Sequence, residues 1–112
     1  MTNDVRRILF LCGKARMRSP TAADIVATWS GFETDFAGLS NDADEHLSSE
    51  HLEWADMVVV MERRQKRILQ QRYASFLRDV PVRVLDVPDR FAFMDPALVE
   101  LITPRLRRLL SP

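Results

Sequence analysis

The sequence has one cysteine, two histidines and no apolar stretch of membrane length. A lone thiol excludes an internal disulfide, and Cys/His spacing of the zinc-site type is absent. His46 and His51 stand five apart, not at the i, i+4 step that brings two ligands to one helix face, so no metal is expected. Near the N-terminus the longest apolar run is Ile8 to Cys12, far too short for a span or a secretory core. Neither charge sign dominates: 16 Lys+Arg against 16 Asp+Glu argue neither for nor against a polyanionic partner. These absences point to a cytoplasmic, reducing setting in which a thiol stays available.

What is present suits one domain spanning residues 1–112, with 46% apolar and 29% charged residues. No repeat, linker or low-complexity tract interrupts it. Strand and helix signals alternate. Val5 to Leu11 carries a buried, β-rich run, and Ser19-Pro20 reads as an N-cap followed by a first helical residue. Ala22, Ile25, Val26 and Trp29 then fall on one helix face, with Gly31 as the stop. Phe32 to Ala37 reads as a second strand, 39–50 as a polar loop, and Ser49 to Ala55 as a short helix. Met57 to Met61 is the clearest buried strand, followed by a charged helix over 62–74 and a fourth strand, Val82 to Val87. Asp95-Pro96 opens a last helix that Thr103-Pro104 is expected to break or restart.

This alternation predicts a three-layer α/β/α fold, flavodoxin-like, with a parallel sheet covered on both faces. Ligands in such sheets bind at the carboxyl ends of strands, and Cys12 sits at the end of the first.

Around that cysteine the chain reads Leu11-Cys12-Gly13-Lys14-Ala15-Arg16-Met17-Arg18-Ser19-Pro20, a Cys-x5-Arg-Ser-Pro segment between a strand and a helix start. Peptide units in such a loop can turn their N–H groups inward as a cradle for a tetrahedral anion, with the helix's positive end behind them. Gly13, Lys14, Ala15, Arg16 and Met17 would form the cradle, and Arg18 would grip two phosphoryl oxygens with its planar fork. The same field favours a Cys12 thiolate, which can attack phosphorus in line to give a phosphocysteine that water hydrolyses. Ser19 can hydrogen-bond the sulfur as it leaves. Splitting the reaction into two steps suits phosphomonoesters, whose spontaneous hydrolysis needs up to ~10²¹-fold acceleration. A buried Cys12 in an ordinary turn is the competing reading.

Ile8 to Ala23 resembles the phosphate loop of the low-molecular-weight protein tyrosine phosphatases. The likeness continues through Phe36-Ala37-Gly38, Ala55 to Met61 and Asp86-Val87-Pro88-Asp89. It implies a four-stranded parallel sheet, a compact bacterial branch of the family, no cofactor and no metal. It also implies action on a phosphotyrosine-containing protein or a small aryl phosphate, with inorganic phosphate or other oxyanions held in the loop. No nucleic acid and no membrane is expected as a partner, and the chain is expected to be a monomer or weak dimer.

Family members supply the leaving-group proton from an aspartate in an Asp-Pro context, and Asp89 best matches it. Asp95, before Pro96, has the literal pair but also reads as a helix cap; Asp86 reads as the strand end. Three departures stand out. Ala15 replaces an asparagine that organises the loop, Met17 replaces a second cysteine, and Arg90 replaces the proline after the acid. Phe91 and Phe93 stand where tyrosines often follow, and either could wall a flat phenyl ring or pack in the core. Arg63, Arg64, Lys66, Arg67 and Arg72 form a basic stretch best read as a solvated face, while Lys14 and Arg16 are expected to point outward. Other readings are an anion-binding module without turnover, an arsenate reductase dependent on an external thiol, and a sulfur-transfer loop.

Overall fold

The structure, a computed structural model, describes residues 5–14 and 17–111. Four parallel strands lie in the order β2-β1-β3-β4: β1 Arg6–Cys12, β2 Phe32–Gly38, β3 Met57–Val60 and β4 Val82–Val84. The helices are α1 Arg18–Ala27, α2 Ser49–Trp54, α3 Arg63–Tyr73 and α4 Pro96–Leu110, with a 3-10 turn at Ala74–Phe76.

Side-chain alternation along the strands builds two cores. Ile8, Phe10 and Cys12 face one way with Val59 and Met61, against Ala22, Ala23 and Val26 of α1 and the apolar side of α4. Leu9 and Leu11 face the other way with Val58 and Val60, against Leu52 of α2 and Leu69 of α3. Ile8 to Leu11 are fully buried, as a strand covered on both faces requires. Chain order reverses beside β1, with β2 on one side and β3 on the other, so the switch point lies where Cys12 ends its strand.

Four local expectations are corrected. Helix α1 begins at Arg18 with Met17 in the cap position, not at a Ser19 cap, and Ser19 is buried with its hydroxyl turned to Cys12. Pro20 is still tolerated because the first turn's N–H groups lack helical partners. At its other end α1 stops at Ala27, and Gly31 instead takes φ +87 in the turn into β2, where its carbonyl accepts from Arg6 N at 2.9 Å. Strand β4 ends at Val84 rather than Val87. Asp86 adopts φ 65, which ends the extended backbone, although Leu85 N and Val87 N still donate to Val60 O and Met61 O at 2.8 Å. Helix α4 runs unbroken through Pro104. Leu98, Ile102, Leu106 and Leu110 recur every fourth residue and are at most 1% exposed. Burial of each contributes about 1.5–3 kcal/mol, outweighing the ~3 kcal/mol cost of one interior proline, and Pro104 faces solvent.

The polar stretch after β2 is held rather than loose. Leu39 N donates to Cys12 O at 3.0 Å, Ser40 N to Gly13 O at 2.8 Å and Asp44 N to Lys14 O at 3.1 Å, so the β1–β2 pairing continues past both strand ends. No helix among the described residues is long and apolar enough to cross a membrane.

Candidate active site

At the carboxyl edge of the sheet a pocket of about 460 Å³ opens over Cys12. Cys12 is 4% exposed, and its Sγ lies 3.0 Å from Ser19 Oγ, which belongs to the first turn of α1. With a thiolate at Cys12, the hydroxyl is the donor.

Arg18 opens α1 and lies almost wholly buried beside this pair. Its Nη1 donates to Glu62 Oε2 and to the Val87 carbonyl, both at 2.8 Å, and its Nε is 3.7 Å from Asp89 Oδ1. A buried guanidinium needs such acceptors, because an unpaired one carries a desolvation penalty of several kcal/mol. No buried side-chain nitrogen or oxygen among the described residues lacks a hydrogen-bond partner.

Glu62 caps α3, directly after the β3 run, and its backbone N–H donates to Gln65 Oε1 at 3.0 Å. Gln65, 3% exposed, also takes Met61 N at 2.9 Å and thereby fixes the β3–α3 turn. On the far wall, Ser40 donates to Asp42, whose carboxylate also pairs with Lys14 Nζ at 3.3 Å. The Ser40 hydroxyl, and after it Lys14, hold the Asp42 carboxyl below the usual carboxylate range.

Of the residues singled out in the sequence, Cys12, Gly13, Lys14, Met17, Arg18 and Asp89 all line this pocket, and Ser19 lies buried against the sulfur. Ala15 and Arg16 lie outside the described residues. Lys14 points outward to Asp42. Asp89 is open to solvent, with its side chain 73% exposed. Asp95 does not line the pocket: its Oδ1 accepts from Ala97 N at 2.9 Å and caps α4. Phe91 does not line it either. Its ring packs on the core cluster shared by α1 and α4, with the Arg90 guanidinium 5.3 Å from its centroid, the core role of the two the sequence left open.

Glu62, Ser40, Gln65 and Thr21 were not foreseen. Glu62 and Ser40 each stand two residues beyond a parallel strand, and that placement alone puts them on the ligand-binding edge. Buried Thr21 accepts from Met94 N at 2.9 Å and donates to Met17 O at 2.7 Å, tying the loop that follows Asp89 to the start of α1.

No protein-family model and no curated protein matches the chain. Among solved structures, it is similar to the arginine phosphatase YwlE from Geobacillus stearothermophilus, at 24% identity over 95% of this chain and 93% of that one, with a TM-score of 0.73. It is also similar to Wzb from Vibrio vulnificus, solved with benzylphosphonate, at 17% identity over 95% and 97%, TM-score 0.74. The low-molecular-weight protein tyrosine phosphatase SP-PTP from Streptococcus pyogenes superposes with a TM-score of 0.78, at 12% identity over 96% and 92%. The chain has the fold of the low-molecular-weight protein tyrosine phosphatases.

Proposed function

We propose that this chain is a cytoplasmic protein-tyrosine phosphatase that works through a phosphocysteine on Cys12. The observation that carries the reading is the Cys12 sulfur, 3.0 Å from the buried Ser19 hydroxyl, at a pocket that Arg18 and Asp89 also line. Neighbours of the same fold that are named tyrosine phosphatases support it.

In the first step the Cys12 thiolate attacks phosphorus, the S–P bond forms and the P–O bond to the leaving phenol breaks. Asp89, protonated, gives its proton to that oxygen, so a phenol departs rather than a phenolate. Arg18 gathers the equatorial oxygens as charge spreads over them. In the second step Asp89, now a carboxylate, takes a proton from water, whose oxygen attacks phosphorus. The S–P bond breaks, the electron pair returns to sulfur, and the Ser19 hydroxyl stabilises the thiolate. Inorganic phosphate leaves. Asp89 suits this part because its side chain, 73% exposed, is open to the water it would activate.

Phosphoarginine is the second substrate to test. One neighbour is named an arginine phosphatase, and the described lining of the pocket is polar and charged around Met17, with no aromatic ring.

Hydrolysis of an aryl phosphate that vanadate blocks and Cys12→Ser abolishes is the expected result, with a phosphocysteine trapped from Asp89→Ala by rapid acid quench. Tight phosphate binding without hydrolysis of either phosphotyrosine or phosphoarginine would make the chain an anion-binding module instead.

A further inference from the structure

Helix α3 carries Arg63, Arg64, Lys66, Arg67 and Arg72 and no acidic residue. Four of these lie in its first five positions, where the helix dipole disfavours cations, and like charges three and four apart repel. Among the described residues, none of the five has a carboxylate within ion-pair distance. The chain as a whole is neutral, so this face is a local asymmetry held at a cost to the free protein.

One side of this helix borders a groove of about 180 Å³, where Arg64, Ile68 and Arg72 lie opposite Leu39 and Ser40. The groove runs into the Cys12 pocket, sharing Gly13, Ser40, Arg64 and Gln65 with it. Arg72 reaches across, its Nη1 3.4 Å from the Leu39 carbonyl, so its guanidinium is already placed over the groove. The volume admits a side chain or two, not a folded element.

We propose that this groove binds the acidic segment of a protein substrate next to its phosphorylated residue, with Asp or Glu side chains on Arg64 and Arg72. Guanidinium forks match carboxylates, and Ile68 offers an apolar floor for the aliphatic stem of a glutamate. The inference rests on the phosphatase reading and deepens it by assigning a substrate class.

Binding to the Cys12→Ser protein tests it without turnover. The probes are fluorescent phosphotyrosine peptides that differ only in flanking Glu, Ala or Lys, read by anisotropy. Glutamate flanks should bind roughly three- to tenfold tighter than alanine at low salt, lysine flanks weaker, and about 0.5 M salt should flatten the series. Arg72→Gln, which lines the groove but not the catalytic pocket, should remove the preference. Arg67→Gln, the same charge loss outside the groove, should keep it.

Equal affinity for all flanks overturns the proposal, as does loss of the preference in Arg67→Gln as complete as in Arg72→Gln. Competition by a short oligothymidylate as strong as that by the glutamate peptide also overturns it, because the groove would then read phosphate backbones. Aryl phosphate turnover by the unmodified protein, measured alongside, separates the two claims. Flank preference without turnover keeps the groove and removes the phosphatase; turnover without flank preference does the reverse.

Discussion

Arg18 Nη1 and Glu62 Oε2 meet at 2.8 Å across 44 residues of sequence, joining the first turn of α1 to the cap of α3. The pair fixes one edge of the guanidinium and thereby aims the rest of it. Glu62 touches no substrate in the proposed reaction; it positions the group that does.

Glu62→Ala should therefore lower kcat/KM on an aryl phosphate by roughly 10- to 100-fold, the loss expected from one charge-assisted bond of about 1.5–3 kcal/mol. The inhibition constant for vanadate should rise in parallel, which a merely destabilised but correctly shaped site would not show. Glu62→Gln keeps an acceptor and should recover part of both.

Asp89 and Asp95 are told apart by pH–rate profiles. Asp89→Ala should cost roughly 10²- to 10⁴-fold in kcat and remove the basic limb of the profile. Asp95→Ala should keep that limb and instead lose about 1 kcal/mol of stability, the usual cost of a lost N-cap. Loss of the limb in Asp95→Ala would transfer the acid role to it.

Thr21→Val removes both hydroxyl bonds, leaving Met94 N without its present acceptor, while Met17 O keeps the backbone N–H of residue 21 at 3.1 Å. Urea unfolding should show a loss of about 1–3 kcal/mol with an unchanged m-value.

Asp42 carries a pH signature. Its folded carboxyl titrates lower than in the unfolded chain, so its contribution is present above the unfolded value and fades as pH falls through the folded one. A ¹³C NMR titration should place the midpoint below the usual carboxylate range. Ser40→Ala and Lys14→Gln should each raise it, since the Ser40 hydrogen bond is the largest single cause and Lys14 acts through both a hydrogen bond and its charge. A midpoint insensitive to Ser40→Ala would show that the hydroxyl does not hold it.

Much of this was legible in the chain. The Ile8–Leu11 run marked β1 as a buried strand, and Cys-x5-Arg placed Cys12 and Arg18 at its ligand-binding edge, because local spacing acts over short distances; its central place in the sheet came with the strand order. Ser19 shows where a local rule fails: the helix-cap preference competes with the demand of a buried sulfur for a donor, and the latter won. Pro104 shows another, where four buried aliphatics on α4 override a helix breaker. Phe91 was ambiguous because an aromatic ring suits a core and a substrate wall equally, and no spacing rule separates the two. Glu62 escaped because its partner lies 44 residues away, in a contact made only when β1 and β3 pair.

The bonds from Leu39 and Ser40 to Cys12 and Gly13 make the near half of the proposed anion cradle an outgrowth of the sheet. Its backbone is therefore preorganised by the most protected part of the molecule, and capture of an oxyanion loses little chain entropy there. Amide protons of Leu39 and Ser40 should exchange with solvent nearly as slowly as those of β1 itself, with or without phosphate bound. An affinity measured at Cys12 then carries little cost for shaping the Cys12–Lys14 end of the loop.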